Sequence, residues 1–246
     1  MPKNGGHPER LPYWPQLQPA CACDPEVRYV HYDPQKNDHG LPRDPFKSCV
    51  VPRPIGWIST VSTEGVANLA PYSQFQNLNF DPPYVFFAAN QKSDGSRKDT
   101  VANAETTGQF VYNMATYDLR EAVNLSAQEV PSDVDEFELA HVTKAKSIRV
   151  DAPRVAESPV NLECVWQQTI RLPGNSPVGS VDMVVGRVVT IHIKDEALDA
   201  DGCLDLVKIR PLARVGYFGY TTIDSVFEMV IPGKSDELLR GLEGAR

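Results

Sequence analysis

Two short segments carry the residue types that anion and ring binding need. Ser96-Arg97-Lys98-Asp99-Thr100 sets two cations and two hydroxyls within five residues, where a helix is predicted to begin. First-turn amides of a helix have no carbonyl partner inside it, and the positive end of the helix dipole lies there too. Cations beside such amides suit a phosphate. The same residues also read as an ordinary capped and solvated helix start. The second segment, Asn68-Leu69-Ala70-Pro71-Tyr72-Ser73-Gln74-Phe75, follows a predicted strand and turn. Ser73 and Gln74 offer donors and Phe75 an apolar wall, a combination suited to an anionic, planar ligand.

Nothing else in the chain suggests chemistry of its own. No GxGxxG, P-loop, GxSxG or HExxH occurs. His7, His31, His39, His141 and His192 are scattered without metal-ligand spacing. Cys21 and Cys23 form a CxC, but no second pair or His cluster completes four ligands, so no metal site is expected. The protein therefore takes its chemistry from a cofactor or has none. The cysteines, five in all, are too few and too scattered for a disulfide scaffold and suit a reducing, bacterial-type cytoplasmic compartment.

The elements that must position these segments read as β-rich. Ile55–Thr63 is a predicted strand, Glu64-Gly65 a tight turn, and 66–75 the antiparallel return. Asp81-Pro82-Pro83 stops the chain before a buried strand over 84–90. Helices are predicted over 96–107 and 119–128, the second with Asp118 as N-cap, and a strand over 110–114. Apolar residues alternate over 160–172, interrupted by Gln168, and again over 180–193 with Val181, Met183, Val185, Val189, Ile191 and Ile193 on one parity. Arg187 beside Gly186 breaks that parity and predicts a bulge. Two long paired strands with several short ones favour a closed or partly closed β-barrel with a few helices over a flat sheet, and the lack of a βαβ succession argues against a doubly wound fold.

A chain of 246 residues, 41% hydrophobic and 23% charged, is neither disordered throughout nor built for a bilayer, and no apolar run is long enough to span one. The first 30 residues contain no apolar signal-peptide core, so secretion is not expected. With 24 basic and 32 acidic residues the net charge is −8, which argues against nucleic acid as a partner. Residues 1–47 form a Pro-rich extension, extended and irregular, that is either disordered or, given its aromatic residues, wrapped over its own core or a partner subunit. Residues 48–232 are the domain proper and 233–246 a tail.

The residues then carry a resemblance. Pro52-Arg53-Pro54-Ile55-Gly56-Trp57-Ile58-Ser59-Thr60, the segment 68–75, Asp81-Pro82-Pro83 and Lys98-Asp99-Thr100 together resemble the flavin reductase-like, FMN-binding split-barrel family. Ala156-Glu157-Ser158-Pro159, Leu162-Glu163-Cys164, Gly186 and Leu212-Ala213-Arg214 continue it in order. The resemblance implies a homodimer of FMN-binding split barrels with FMN near the subunit interface. By position it implies that Ser59 and Thr60 line the flavin strand, that Ser73, Gln74 and Phe75 contact the ring system, and that Lys98 and Thr100, with Ser96 and Arg97 beside them, bind the phosphate. Trp57 is implied against the ring or in the core, and Arg53 near the phosphate or at the surface. His141 and His192 either approach the substrate or are structural.

The implied activity is an NAD(P)H:flavin reductase, with NADH or NADPH as hydride donor, supplying reduced FMN to a separate monooxygenase or to general use. Two alternatives stay open: a flavoprotein with tightly held FMN that reduces or oxygenates a small organic molecule such as a nitroaromatic, and a flavin-binding protein without turnover. The chain departs from the family in its N-terminal extension and in Tyr217-Phe218-Gly219-Tyr220 after Arg214, both of which bear on what reaches the flavin.

Overall fold

The computed structural model of the protein describes residues 28–229. Cys21 and Cys23, most of the Pro-rich extension and the predicted tail lie outside the described residues. The chain divides into two units, Met1–Pro45 and Phe46–Arg246. In the described part of the first, Asp33 accepts backbone hydrogen bonds from Lys36 and Asn37 in a turn, and Tyr32 meets His39 edge to face.

The second unit is built on one seven-stranded antiparallel sheet. Its strands are β1 (Gly56–Val61), β2 (Ala67–Tyr72), β3 (Phe75–Phe80), β4 (Pro83–Asn90), β5 (Gln109–Met114), β6 (Val160–Leu172) and β7 (Val181–Ile193). Their order across the sheet is β2-β1-β5-β6-β7-β4-β3. The sheet curls so that its interior is a single apolar cluster drawn from both halves, with Ile58, Tyr72, Phe87, Phe110, Tyr112 and Val184 at its centre. It does not close by hydrogen bonds: β2 and β3 are its two edges, and the chain itself crosses the seam at Ser73-Gln74. The Gln74 carbonyl accepts from Ala88 N at 2.8 Å, which pins the crossing to β4. The predicted single return strand over 66–75 is therefore two strands, because the seam falls inside it.

The long strands pair as their patterns require, with a register shift at Val185/Gly186 where a bulge was predicted. A Cβ at Gly186 would lie 2.4 Å from the Phe110 ring, so only glycine lets that ring fill the interior. This fixes the inward parity of β7 as Val184, Gly186 and Val188. The predicted apolar parity is the outer one instead, and Ile191 and Ile193 on it are exposed. Ile170 and Leu172 are likewise exposed at the far end of β6.

Helix α1 (Asp99–Thr107) packs Val101 and Ala104 into the interior, an i, i+3 pair on one helix face. It ends at Gly108, whose φ of 71° is the left-handed conformation that glycine adopts freely. A second apolar cluster lies on the outer face of β1 and β2, where Trp57 and Leu69 are covered by Val123 of α2 (Arg120–Leu125) and Phe137 of α3 (Glu136–Leu139). Asp118 does not cap α2. Leu119 holds that position without a side-chain cap, and Asp118 binds Arg210 Nη2 at 2.6 Å, a charged partner that outcompetes the helix amides. Arg53–Pro54 pairs with β8 (Ala213–Gly216), which pairs with β9 (Gly219–Thr221).

Candidate functional site

Two cavities have lining that could serve a ligand. The larger, about 450 Å³, lies between α2 and β9 against Tyr117, Arg120, Leu212 and Tyr220. The smaller, about 120 Å³, lies where β2 meets the first turn of α1, with Asn68, Tyr72, Lys92, Lys98, Thr100, Glu129 and Glu136 in its wall. Volume favours the first, but the second holds Lys92, Lys98 and the start of α1, and its polar groups converge.

The wall of the smaller cavity is built by a buried chain of hydrogen bonds. Tyr72 Oη donates to Thr100 Oγ1 at 2.8 Å, and Thr100 Oγ1 donates to Asn68 Oδ1 at 2.7 Å. Asn68 Nδ2 donates to Glu136 Oε1 at 2.7 Å, and the amide of Leu69 donates to Glu136 Oε2 at 3.2 Å. Burial pushes the Glu136 carboxyl above the usual carboxylate range and the Tyr72 phenol above the usual phenol range.

At the mouth, Lys98 is the N-cap of α1 with extended backbone and no side-chain cap hydrogen bond. Val101 N donates to the Lys98 carbonyl at 3.0 Å, so the first-turn amides left to an outside acceptor are those of Asp99 and Thr100. Lys92 Nζ binds Asp99 at 2.8 Å, and Lys98 Nζ binds Glu129 Oε2 at 2.9 Å. Glu129 also accepts from Ser93 Oγ at 2.6 Å and from the Ser93 amide. Those hydrogen bonds, from Ser93 first and then Lys98, hold its carboxyl down at about 2.

The sequence-predicted residues divide accordingly. Lys98 and Thr100 line the cavity. Thr60 sits one layer behind, donating to Asn68 Oδ1 at 3.3 Å, while Ser59 is buried and donates to the Pro153 carbonyl. Ser73, Gln74 and Phe75 form the seam crossing, where the Phe75 ring stacks on Tyr112 with centroids 4.5 Å apart. Ser96 is exposed, its carbonyl taking the Lys92 amide. Arg97 turns away from the cavity, gripping Glu105 with both terminal nitrogens at 2.6 Å and Asp182 through Nε at 3.1 Å. Trp57 is fully buried in the outer cluster, its Nε1 donating to Ser126 Oγ at 2.9 Å, and Ser126 is part of the cavity wall. Arg53 donates to the carbonyls of Lys47 and Val50. His192 Nε2 meets the buried Glu163 at 2.6 Å, and His141 is exposed.

Sequence reasoning missed Lys92, Ser93, Glu129 and Glu136. Asp135-Glu136-Phe137-Glu138 reads as a solvated acidic helix start, and only the fold carries Glu136 to a partner 68 residues away.

A family model described as the flavin reductase like domain matches residues 48–213. The chain belongs to that family. An uncharacterized protein of Aquifex aeolicus (strain VF5) is 36% identical over 167 residues, 68% of this chain and 82% of its own. Nitrilotriacetate monooxygenase component B from Bacillus cereus superposes with a TM-score of 0.74 at 29% identity, covering 82% of this chain and 100% of the other. The 2-nitrobenzoate 2-nitroreductase of Pseudomonas fluorescens gives 0.65 at 26%, covering 76% and 89%. The fold is thus the split barrel, and the family is one of flavin-related oxidoreductases. Among the described residues, no helix is long and apolar enough to cross a membrane.

Proposed function

We propose that the protein binds FMN, with the phosphate at the first turn of α1, and acts as an NAD(P)H-dependent flavin reductase. One observation carries this reading: Lys98 and Ser93 already converge on a carboxylate beside an uncapped helix start, so the donor set fits an anion. Lys98 and the α1 amides would hold the phosphate. Thr100, one hydrogen bond from Asn68, would fix the turn that presents them. The seam residues Ser73, Gln74 and Phe75 would face the ring system. Arg97 would act by tying the loop to β7, and Trp57 by anchoring Ser126.

A flavin held by these residues would supply the redox chemistry, with NADH or NADPH as the hydride donor. The chain's own work is positioning and exclusion of water. Phe75 and Tyr112 keep the seam apolar, and burial raises the Tyr112 and Tyr72 phenols, so both stay neutral near pH 7.

A homodimer completes this reading. Edge strand β3 exposes Leu78 and Phe80, and the far end of β6 separately exposes Ile170 and Leu172; either is an apolar group that a second copy would cover. Delivery of reduced flavin to a separate monooxygenase is supported by the likeness to a monooxygenase component, and we place it in the cytoplasm on the sparse, scattered cysteines. A second reading, direct reduction of a small organic such as a nitroaromatic by tightly held FMN, draws on the likeness to a nitroreductase. Extensive dialysis followed by turnover assays separates them. We expect colourless protein that oxidises NADH or NADPH only when FMN is added. Protein that stays yellow and turns over only with an organic acceptor would establish the second reading instead.

A further inference from the structure

Glu129 does at the mouth of the small cavity what a bound anion would do. Its Oε1 accepts from Ser93 Oγ at 2.6 Å and from Ser93 N at 3.2 Å, and its Oε2 accepts from Lys98 Nζ at 2.9 Å. A hydroxyl, an amide and an ammonium converging on two oxygens of one carboxylate are the donors that also suit two terminal oxygens of a phosphate. These donors come from the two ends of one loop, 91–98 between β4 and α1, and Glu129 arrives from a second, 31 residues beyond Lys98. The pair is open to solvent, with the Lys98 and Glu129 side chains 29% and 38% exposed, so an incoming anion can exchange with the carboxylate.

We propose that Glu129 is an internal stand-in for the ligand's phosphate: it holds Lys98 and Ser93 together when no anion is bound, and competes with the phosphate for them. The inference rests on the flavin-phosphate reading above and deepens it. A phosphomonoester dianion brings more charge and more acceptor oxygens than one carboxylate, so it wins the contest, whereas a singly charged anion offers the donors nothing that Glu129 does not. Competition of this kind selects for the phosphorylated ligand and at the same time speeds its release. Rapid release is what a reductase needs if reduced flavin is to leave, and what a protein with permanent FMN has no use for. Mild acid does not lift the competition, because the same hydrogen bonds keep the Glu129 carboxyl ionised down to about pH 2. The other charged groups around the mouth are Asp94, which feels both Glu129 and Lys92, the Lys92–Asp99 pair, and the buried Glu136.

The test is a flavin-fluorescence titration of wild type, Glu129→Gln, Glu129→Ala and Lys98→Ala with FMN and with riboflavin, each variant checked by thermal melting. Both Glu129 substitutions should tighten FMN about threefold or more, the scale of a lost exposed ion pair, by slowing dissociation, and should leave riboflavin unchanged. Two substitutions of different size keep the result independent of one that folds poorly. FMN affinity that falls in Lys98→Ala yet is equal or weaker in both Glu129 variants would overturn the stand-in while leaving the phosphate site in place. Tightening that is the same for riboflavin would also overturn it. Absence of FMN binding in all four proteins would overturn the stand-in and the flavin-phosphate reading together.

Discussion

Tyr72 and Thr100 are 28 residues apart in sequence and joined by a buried hydrogen bond of 2.8 Å, which ties the last residue of β2 to the first turn of α1. Thr100 then donates to Asn68 on the same strand, so one hydroxyl fixes the helix start against the sheet. Thr100→Val keeps the shape, strands the Tyr72 hydroxyl and leaves Asn68 Oδ1 with only the longer hydrogen bond from Thr60 at 3.3 Å. We expect a loss of about 1–3 kcal/mol in urea unfolding, the cost of leaving buried polar groups unpaired, and weaker FMN binding alongside it. Thr100→Ser should keep most of both. A Val variant as stable as wild type would remove the network from any role in holding the helix.

Lys98→Ala tests the phosphate assignment itself. Removing a charge-assisted hydrogen bond should weaken FMN by roughly 1–3 kcal/mol and leave riboflavin, which has no phosphate, unaffected. Equal losses for the two flavins, measured by titration calorimetry, would put Lys98 near the ring instead.

The barrel was legible in the sequence where strands carry their own pattern. Residues 160–172 alternate with one interruption at Gln168, and the structure gives one strand with those bounds. The fold around them depends on contacts the pattern does not encode. The β2–β3 seam at Ser73-Gln74 has no local signal because both sides are strand-like. The inward parity of β7 is set by Gly186 under Phe110, not by the larger apolar count on the other face. At the site, Lys98 and Thr100 stood out because a helix start is a local feature. Glu129 and Glu136 did not, because an acidic residue becomes a partner for Lys98 or Asn68 only after the chain has folded back on itself. Arg97, adjacent to Lys98, looked equally suited to an anion until Glu105 and Asp182 claimed it.

Gly56 offers a test of the seam. A Cβ built there would lie 2.6 Å from the Phe75 ring, the residue that closes the barrel against Tyr112. Gly56→Ala should push Phe75 off its stack at a cost of about 1–3 kcal/mol, the usual scale of overpacking. Phe75→Leu in the same background should recover part of the loss by making room. Loss of the Phe75–Tyr112 contact is readable as a change in near-ultraviolet circular dichroism, and an unchanged spectrum with unchanged stability would mean that the seam gives way freely.

Glu163 makes the pH prediction. It is fully buried on β6, where burial alone would raise its carboxyl, but the amides of Ile148 and Arg149, at 2.7 and 2.6 Å, and the His192 ring at 2.6 Å outweigh this and hold it below the usual carboxylate range. A carboxyl lowered on folding binds fewer protons in the native state than in the unfolded one. Its stabilisation is therefore complete above the ordinary carboxylate range and disappears as pH falls through the folded value. Glu163→Gln presents one acceptor and one donor group where two amides need acceptors. It should cost about 1–3 kcal/mol at pH 7 and less at acid pH, where the wild-type carboxyl is itself protonated. Urea unfolding of both proteins from pH 7 down to pH 3 gives the difference directly. A gap between them that stays constant over this range would mean that the 148–149 loop is held by its shape and not by the charge on Glu163.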